Sequence, residues 1–120
     1  MTYRRVLVGL AIATMLVGPA IALAATASPT SAQKTAIIKA FGDPSSAGSC
    51  LRVRLAASNH NYATVRPRAL TSCQKWAFNG VNALKRIRDN HWKVVFEGSA
   101  YRCPVAHIPR QVQRDLGICR

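Results

Sequence analysis

Catalysis and metal binding need titratable or nucleophilic side chains brought together, and this 120-residue chain holds few of them. Beside its hydroxyls, lysines and arginines there are four cysteines, three histidines and four carboxylates. Cys50, Cys73, Cys103 and Cys119 carry the clearest chemistry. An even count in a small chain with an export leader reads as a disulfide framework with three possible connectivities. Zinc binding would need paired ligands at short spacing, which these positions lack. A turn at residues 58–61 would return the chain after Cys50 toward Cys73, and a short helix near the C-terminus would return Cys119 toward Cys103. The preferred pairs are therefore Cys50–Cys73 and Cys103–Cys119, each contributing about 2–4 kcal/mol by restricting the unfolded chain. With every cysteine paired, no thiol is left to act as a nucleophile.

His60 and His91 fall in expected turns and His107 in a loop between two prolines, so no histidine pair has strand or helix spacing for a metal. No metal site and no cofactor are predicted. Glu97 beside Gly98 is placed for general-base work, but a charge at a strand end is the ordinary explanation of such a residue. The catalytic inventory is empty on this reading, and a non-enzymatic protein is expected.

Charge points elsewhere. Seventeen lysines and arginines against four carboxylates give a formal net charge of +13. That excess repels itself, keeps the chain soluble and attracts polyanions such as nucleic acid, an anionic cell-wall polymer or an acidic lipid surface. The basic residues are spread along the chain with no run and no specific nucleic-acid motif. Arg52, Arg54, Lys85, Arg86 and Arg88 are the candidate polyanion-binding set, on the condition that their strands are neighbours and present one outward face. Trp92 and Trp76 invite a stacking role beside Lys93, Arg86 and Arg88. Trp92 alternates with Val94 and Phe96, however, so packing with them on one strand face is the favoured reading, while Trp76 is less constrained.

The elements that must position these groups begin after a leader. Arg4 and Arg5 precede an uncharged apolar run over residues 6–17, then Gly18-Pro19 and small residues, the order of a secretory signal peptide. Ala22-Leu23-Ala24 and Ala25-Thr26-Ala27 both satisfy the small-x-small cleavage pattern, which places the cut after Ala24 or after Ala27. Residues 1–24 are thus expected to be removed by the general secretory route. An uncleaved anchor is the competing reading, disfavoured by the shortness of the apolar run. Losing Arg4 and Arg5 lowers the net charge by two units, to +11. The mature protein is expected to be extracellular, with no membrane span.

Residues 25–33 read as a flexible lead-in, and residues 34–120 as one basic, disulfide-bonded domain. Ile37, Ile38 and Phe41 have helical spacing, predicting a short helix over 35–41 that ends at Gly42. Leu51, Val53 and Leu55 alternate with Arg52 and Arg54, predicting a half-buried strand over 50–57. Residues 62–65 read as the returning strand, interrupted by Arg66-Pro67-Arg68, and residues 69–75 as a patternless connection. Residues 80–87 and 92–97 read as a hairpin turning at Arg88-Asp89-Asn90-His91, although Phe78, Val81, Leu84 and Ile87 would also make one helix face. Residues 108–116 predict a closing helix with Pro109 at its first position and Gly117 beyond its end. The expected fold class is α+β: a short N-terminal helix, an antiparallel sheet of about four strands and a short C-terminal helix, one layer on another.

Gly80-Val81-Asn82, Leu84, the run Trp92-Lys93-Val94-Val95-Phe96-Glu97-Gly98-Ser99, Tyr101-Arg102-Cys103-Pro104, Ile108-Pro109 and Asp115-Leu116-Gly117 with Cys119 resemble a group of small secreted actinobacterial proteins of unknown function. The likeness covers about half the chain, with a looser match over residues 53–65. It implies export and a cysteine-paired tail, and no chemistry. Residues 101–105 are also slightly similar to the Cys-Pro reactive loop of the subtilisin-inhibitor family. That family continues in a long strand-rich stretch, whereas only seventeen residues follow Cys103 here, so no reactive site is carried over. The sequence therefore predicts a secreted small basic non-enzymatic protein whose role it does not specify; an anionic surface or polymer is the ligand its charge suits, and a high-pI protein that is simply soluble, with no particular partner, is the plainer reading. The alternative is a protease-inhibitor-like or other protein-interaction module, and a cystatin-like roll with a small-molecule pocket ranks last.

Overall fold

Thr30 opens the first helix. Its Oγ1 accepts from the Gln33 N–H at 3.1 Å, and Gln33 Oε1 accepts from the Thr30 N–H at 2.9 Å, a reciprocal capping box. Helix α1 spans Ser31–Phe41 and closes on Gly42, whose φ of 98° only glycine adopts cheaply and whose N–H reaches the Lys39 carbonyl. These features belong to a computed structural model, which describes residues 25–120. The signal-peptide reading of residues 1–24 lies outside the described residues.

Five strands follow chain order in one antiparallel meander: β1 (Thr26–Ala27), β2 (Leu51–Ala56), β3 (Tyr62–Pro67), β4 (Val81–Arg88) and β5 (His91–Gly98). The class is α+β, with short helices and two disulfides. The fifth strand corrects the expected four, because residues 25–33 are no lead-in. Thr26 and Ala27 pair with Ala56 and Leu55, the Ala57 N–H donates to the Ala25 carbonyl, and Ser31 to Gln33 form the first turn of α1. Arg54 clamps this segment: its Nε donates to Thr26 Oγ1 at 3.0 Å, Nη1 to Ser28 Oγ at 2.8 Å and Nη2 to the Thr26 carbonyl at 3.3 Å.

The sheet is covered on both faces, so the arrangement is helix, sheet, helix. On one face Leu51, Val53, Leu55, Ala63, Val65, Leu84 and Trp92 pack beneath Ile37 and Ile38 of α1. On the other, Ala56, Tyr62 and Ala83 pack beneath Ile108, Val112, Leu116 and Ile118 of the C-terminal segment, which holds helix α2 (Arg110–Asp115). Each large aliphatic chain buried this way contributes about 1.5–3 kcal/mol. Trp92 is core, 7% exposed, as its alternation predicts. Phe96 does not share its face. Leu84 pairs with Val94 but Ala83 pairs with Phe96, so Val95 is an extra residue in β5, 40% exposed. The bulge turns Phe96 to the α2 side, where its ring meets Tyr101 edge-on at 5.0 Å.

Residues 81–88 are strand, not helix, and turn through Asp89-Asn90, with Asp89 at φ 42°. Strand β3 runs on through Arg66 to Pro67, and the connection after it contains a 3-10 helix, Thr71–Trp76. Both disulfides join the preferred partners, Cys50–Cys73 and Cys103–Cys119.

Buried polar side chains finish what the short elements leave open. The β3–β4 ladder pairs only Tyr62 with Lys85 and Ala63 with Leu84. Beyond it the Asn82 amide stands in for a strand, accepting from the Val65 N–H and donating to the Val65 carbonyl, each at 2.8 Å. Gln113 ties down the tail, accepting from the Val105 N–H and donating to the Val105 and Ile108 carbonyls. The Asp115 carboxylate, 2% exposed, accepts from the Ser58 N–H and hydroxyl and from Gln111 Nε2. Burial alone would raise its pKa, but these donors outweigh burial and hold it below the ordinary carboxylate value. The folded pKa thus lies under the unfolded value of about 3.9. The resulting stabilisation is complete above that pH and is lost as pH falls through the folded pKa. Ser58→Ala should cost about 1.5–3 kcal/mol at neutral pH, and the gap between variant and parent should narrow as the pH falls below 4, measured by urea unfolding across that range.

Candidate polyanion interface

Alternation on β2 sends Leu51, Val53 and Leu55 into the α1 core, so Arg52 and Arg54 emerge on the opposite face. The register sets Arg52 directly across from Arg66 of β3. Like charges opposed on neighbouring strands destabilise a sheet, and nothing in the packing requires arginine at Arg52, which is exposed. Arg66 is half-buried; its Nη2 donates to the Leu116 carbonyl at 3.0 Å. Burial lowers its pKa from the ordinary arginine value, with Tyr101 acting in the other direction, and the group stays charged. Arg68 follows, its Nη1 donating to the Ser49 carbonyl at 3.3 Å.

Two hollows flank these side chains. One, of about 330 Å³, lies along the part of β2 that β1 does not pair and is lined by Lys34, Arg52, Arg54 and Arg68 with Ser28 and Pro29. The other, of about 400 Å³, is lined by Arg52, Arg66 and Arg68 with Pro67 and Leu70. No carboxylate lines either hollow. The four carboxylates stand elsewhere: Asp115 beneath Ser58, Asp89 at the β4–β5 turn, and Asp43 and Glu97 together in a separate cleft.

The structure divides the sequence-derived basic set. Arg52 and Arg54 sit at one end of the sheet. Lys85, Arg86 and Arg88 lie at the other, because β3 runs between their strands and pairs Tyr62, its first residue, with Lys85. There Lys85 opposes Lys93, and Lys85 Nζ also lies 5.8 Å from the Tyr62 ring centroid. Arg86 Nε donates to Asn61 Oδ1 at 2.9 Å. The condition of one outward face across both groups is not met. Three further cations that no sequence pattern marks join the first group: Lys34, Arg66 and Arg68. Arg66 and Arg68 flank Pro67, which in sequence looks like a break in the strand, whereas β3 continues to Pro67 and sets Arg66 opposite Arg52.

The segment 101–105 is fixed at three points: the Tyr101 hydroxyl donates to the Ile118 carbonyl at 2.6 Å, Cys103 is bonded to Cys119, and Val105 is held by Gln113. Among the described residues no group of three or more histidines, cysteines or carboxylates is placed to hold a metal ion, and no helix is long and apolar enough to cross a membrane. Comparison with protein families, curated proteins and solved structures finds no match to this chain.

If Arg52 is kept for binding at the expense of the fold, Arg52→Thr should stabilise the protein by about 0.2–1 kcal/mol through relief of the Arg52–Arg66 repulsion. Urea midpoints at low ionic strength measure this, and the gain should shrink in 0.5 M salt as screening removes the repulsion.

Proposed function

We propose that the protein is an exported, non-enzymatic binder of anionic polymers, acting through the arginine end of the β2–β3 pair. Its disulfides and the lack of a membrane-crossing helix among the described residues are compatible with a soluble extracellular protein. Removal of residues 1–24 fits this reading. A cut after Ala24 keeps β1 and the bonds from Arg54 to Thr26, whereas a cut after Ala27 would discard that strand.

The observation that carries the proposal is charge segregation. Arg52, Arg54, Arg66, Arg68 and Lys34 surround two open hollows free of carboxylates, and the Arg52–Arg66 opposition costs stability that a ligand's negative charge would offset. An extended polymer carrying sulfate, phosphate or carboxylate groups at regular intervals suits paired hollows, with guanidinium groups giving forked hydrogen bonds to each anion.

The experiment compares variants of equal net charge on a heparin column, using protein collected from the culture medium and shown by intact mass to begin at Ala25. Arg52→Ser with Arg68→Ser should elute at clearly lower salt than Lys85→Ser with Arg88→Ser. Equal elution of the two pairs would mean that retention follows net charge alone and would sink the assignment of the site.

A further inference from the structure

A cavity of about 640 Å³ lies apart from the two arginine-lined hollows. It opens between the end of α1, the 3-10 helix Thr71–Trp76 and the ends of β4 and β5, and its lining includes Asp43, Trp76, Phe78, Asn79, Glu97 and Ser99. In a chain of net charge +13 with four carboxylates, two of the four converge on one cleft.

Its walls are built. Phe41 and Phe78 pack at 5.3 Å between ring centroids, forming an apolar side. Trp76 is half-buried against the α1 core, and Lys75, which also lines the cleft, sets its Nζ over the indole 5.1 Å from the ring centroid. Gly80, at φ 97°, lies so close to Gly98 that a Cβ on it would stand 2.8 Å from the Gly98 carbonyl oxygen. This glycine contact brings the start of β4 against the end of β5 and holds Asn79 and Glu97 to the same opening. Cys50–Cys73 in turn anchors the 3-10 helix that presents Trp76.

We infer that this cleft binds a short uncharged or amino-bearing oligosaccharide. Carboxylates accept hydrogen bonds from sugar hydroxyls, amides and ammonium groups; the Asn79 amide and Ser99 hydroxyl both donate and accept. A pyranose ring offers apolar, positively polarised C–H faces that match the negative face of an aromatic ring. With Asp43 and Glu97 against one lining cation, Lys75, the opening disfavours sulfated or phosphorylated polymers, so the ligand differs in chemistry from the one assigned to the arginine end. The inference does not rest on that reading.

The test is calorimetric titration of the full mature protein at 0.15 M salt with three probes: the tetramer of N-acetylglucosamine, the tetramer of glucosamine, and a sulfated disaccharide. The expected result is saturable binding of at least one tetramer and none of the sulfated probe in the cleft. Trp76→Leu and, separately, Glu97→Gln should each weaken that binding at least about tenfold. Glu97→Gln is isosteric and exposed, so it keeps the test decisive if Trp76→Leu disturbs folding. Arg52→Ser with Arg68→Ser should leave tetramer affinity unchanged, which separates this site from the polyanion surface. Absence of binding by both tetramers would overturn the inference, as would affinity indifferent to Glu97→Gln.

Discussion

Both faces of a five-stranded sheet must be kept from water by helices of eleven and six residues, and the rest of the structure answers to that shortage. A chain this small buries too little apolar surface to stabilise itself generously. Cross-links and buried hydrogen bonds supply the difference. Cys50–Cys73 fixes the segment that closes the α1 face, and Cys103–Cys119 fixes the tail that closes the other. Where strand pairing runs out the Asn82 amide replaces it, and where α2 is too short to hold the tail Gln113 and Asp115 reach out from it.

The same economy shapes the charge. With four carboxylates to answer seventeen cations, the protein uses one to hold α2 to the β2–β3 turn and places two in the cleft beside Trp76. The arginines at the end of β2 and β3 are left to neutral partners, the carbonyls of Thr26, Ser49 and Leu116 and the hydroxyls of Thr26 and Ser28. Carbonyls satisfy guanidinium hydrogen bonds without cancelling their charge, so these side chains are ordered and still electropositive. The outcome is a molecule whose β2–β3 arginines stand apart from a cleft containing acidic and aromatic side chains.

Much of this was legible in the sequence, and what was missed had physical reasons. Alternation at 51–55 marked β2 because one face of that strand is core and the other solvent. The disulfide pairs followed from where turns could return the chain. Phe96 lies on the face opposite to the one its alternation predicts, because a period of two assumes an unbroken pleat and the Val95 bulge breaks it. Helix α1 starts four residues before the helical spacing predicts, because Thr30 and Gln33 form a capping box around small residues that have the composition of a linker. The strand at Thr26–Ala27 has no pattern of its own, since two residues cannot show a period, and its place is fixed by Arg54 from 28 positions away. Asn82, Gln113 and Asp115 look like surface residues in sequence, and only tertiary structure makes them posts in the core. The candidate site suffered from the same blindness to long range: Arg52 and Arg66 are partners across a register that composition does not reveal.

The central claim is that one end of the sheet, and not net charge as a whole, receives the polyanion. Backbone amide shifts of isotopically labelled protein, followed while a sulfated oligosaccharide is added at 0.15 M salt, address it most directly. The account predicts saturable shifts confined to residues 51–54 and 65–69 and the neighbouring turn of α1 at Lys34. Shifts centred on residues 85–93 instead, or spread evenly over every exposed basic residue, would contradict it.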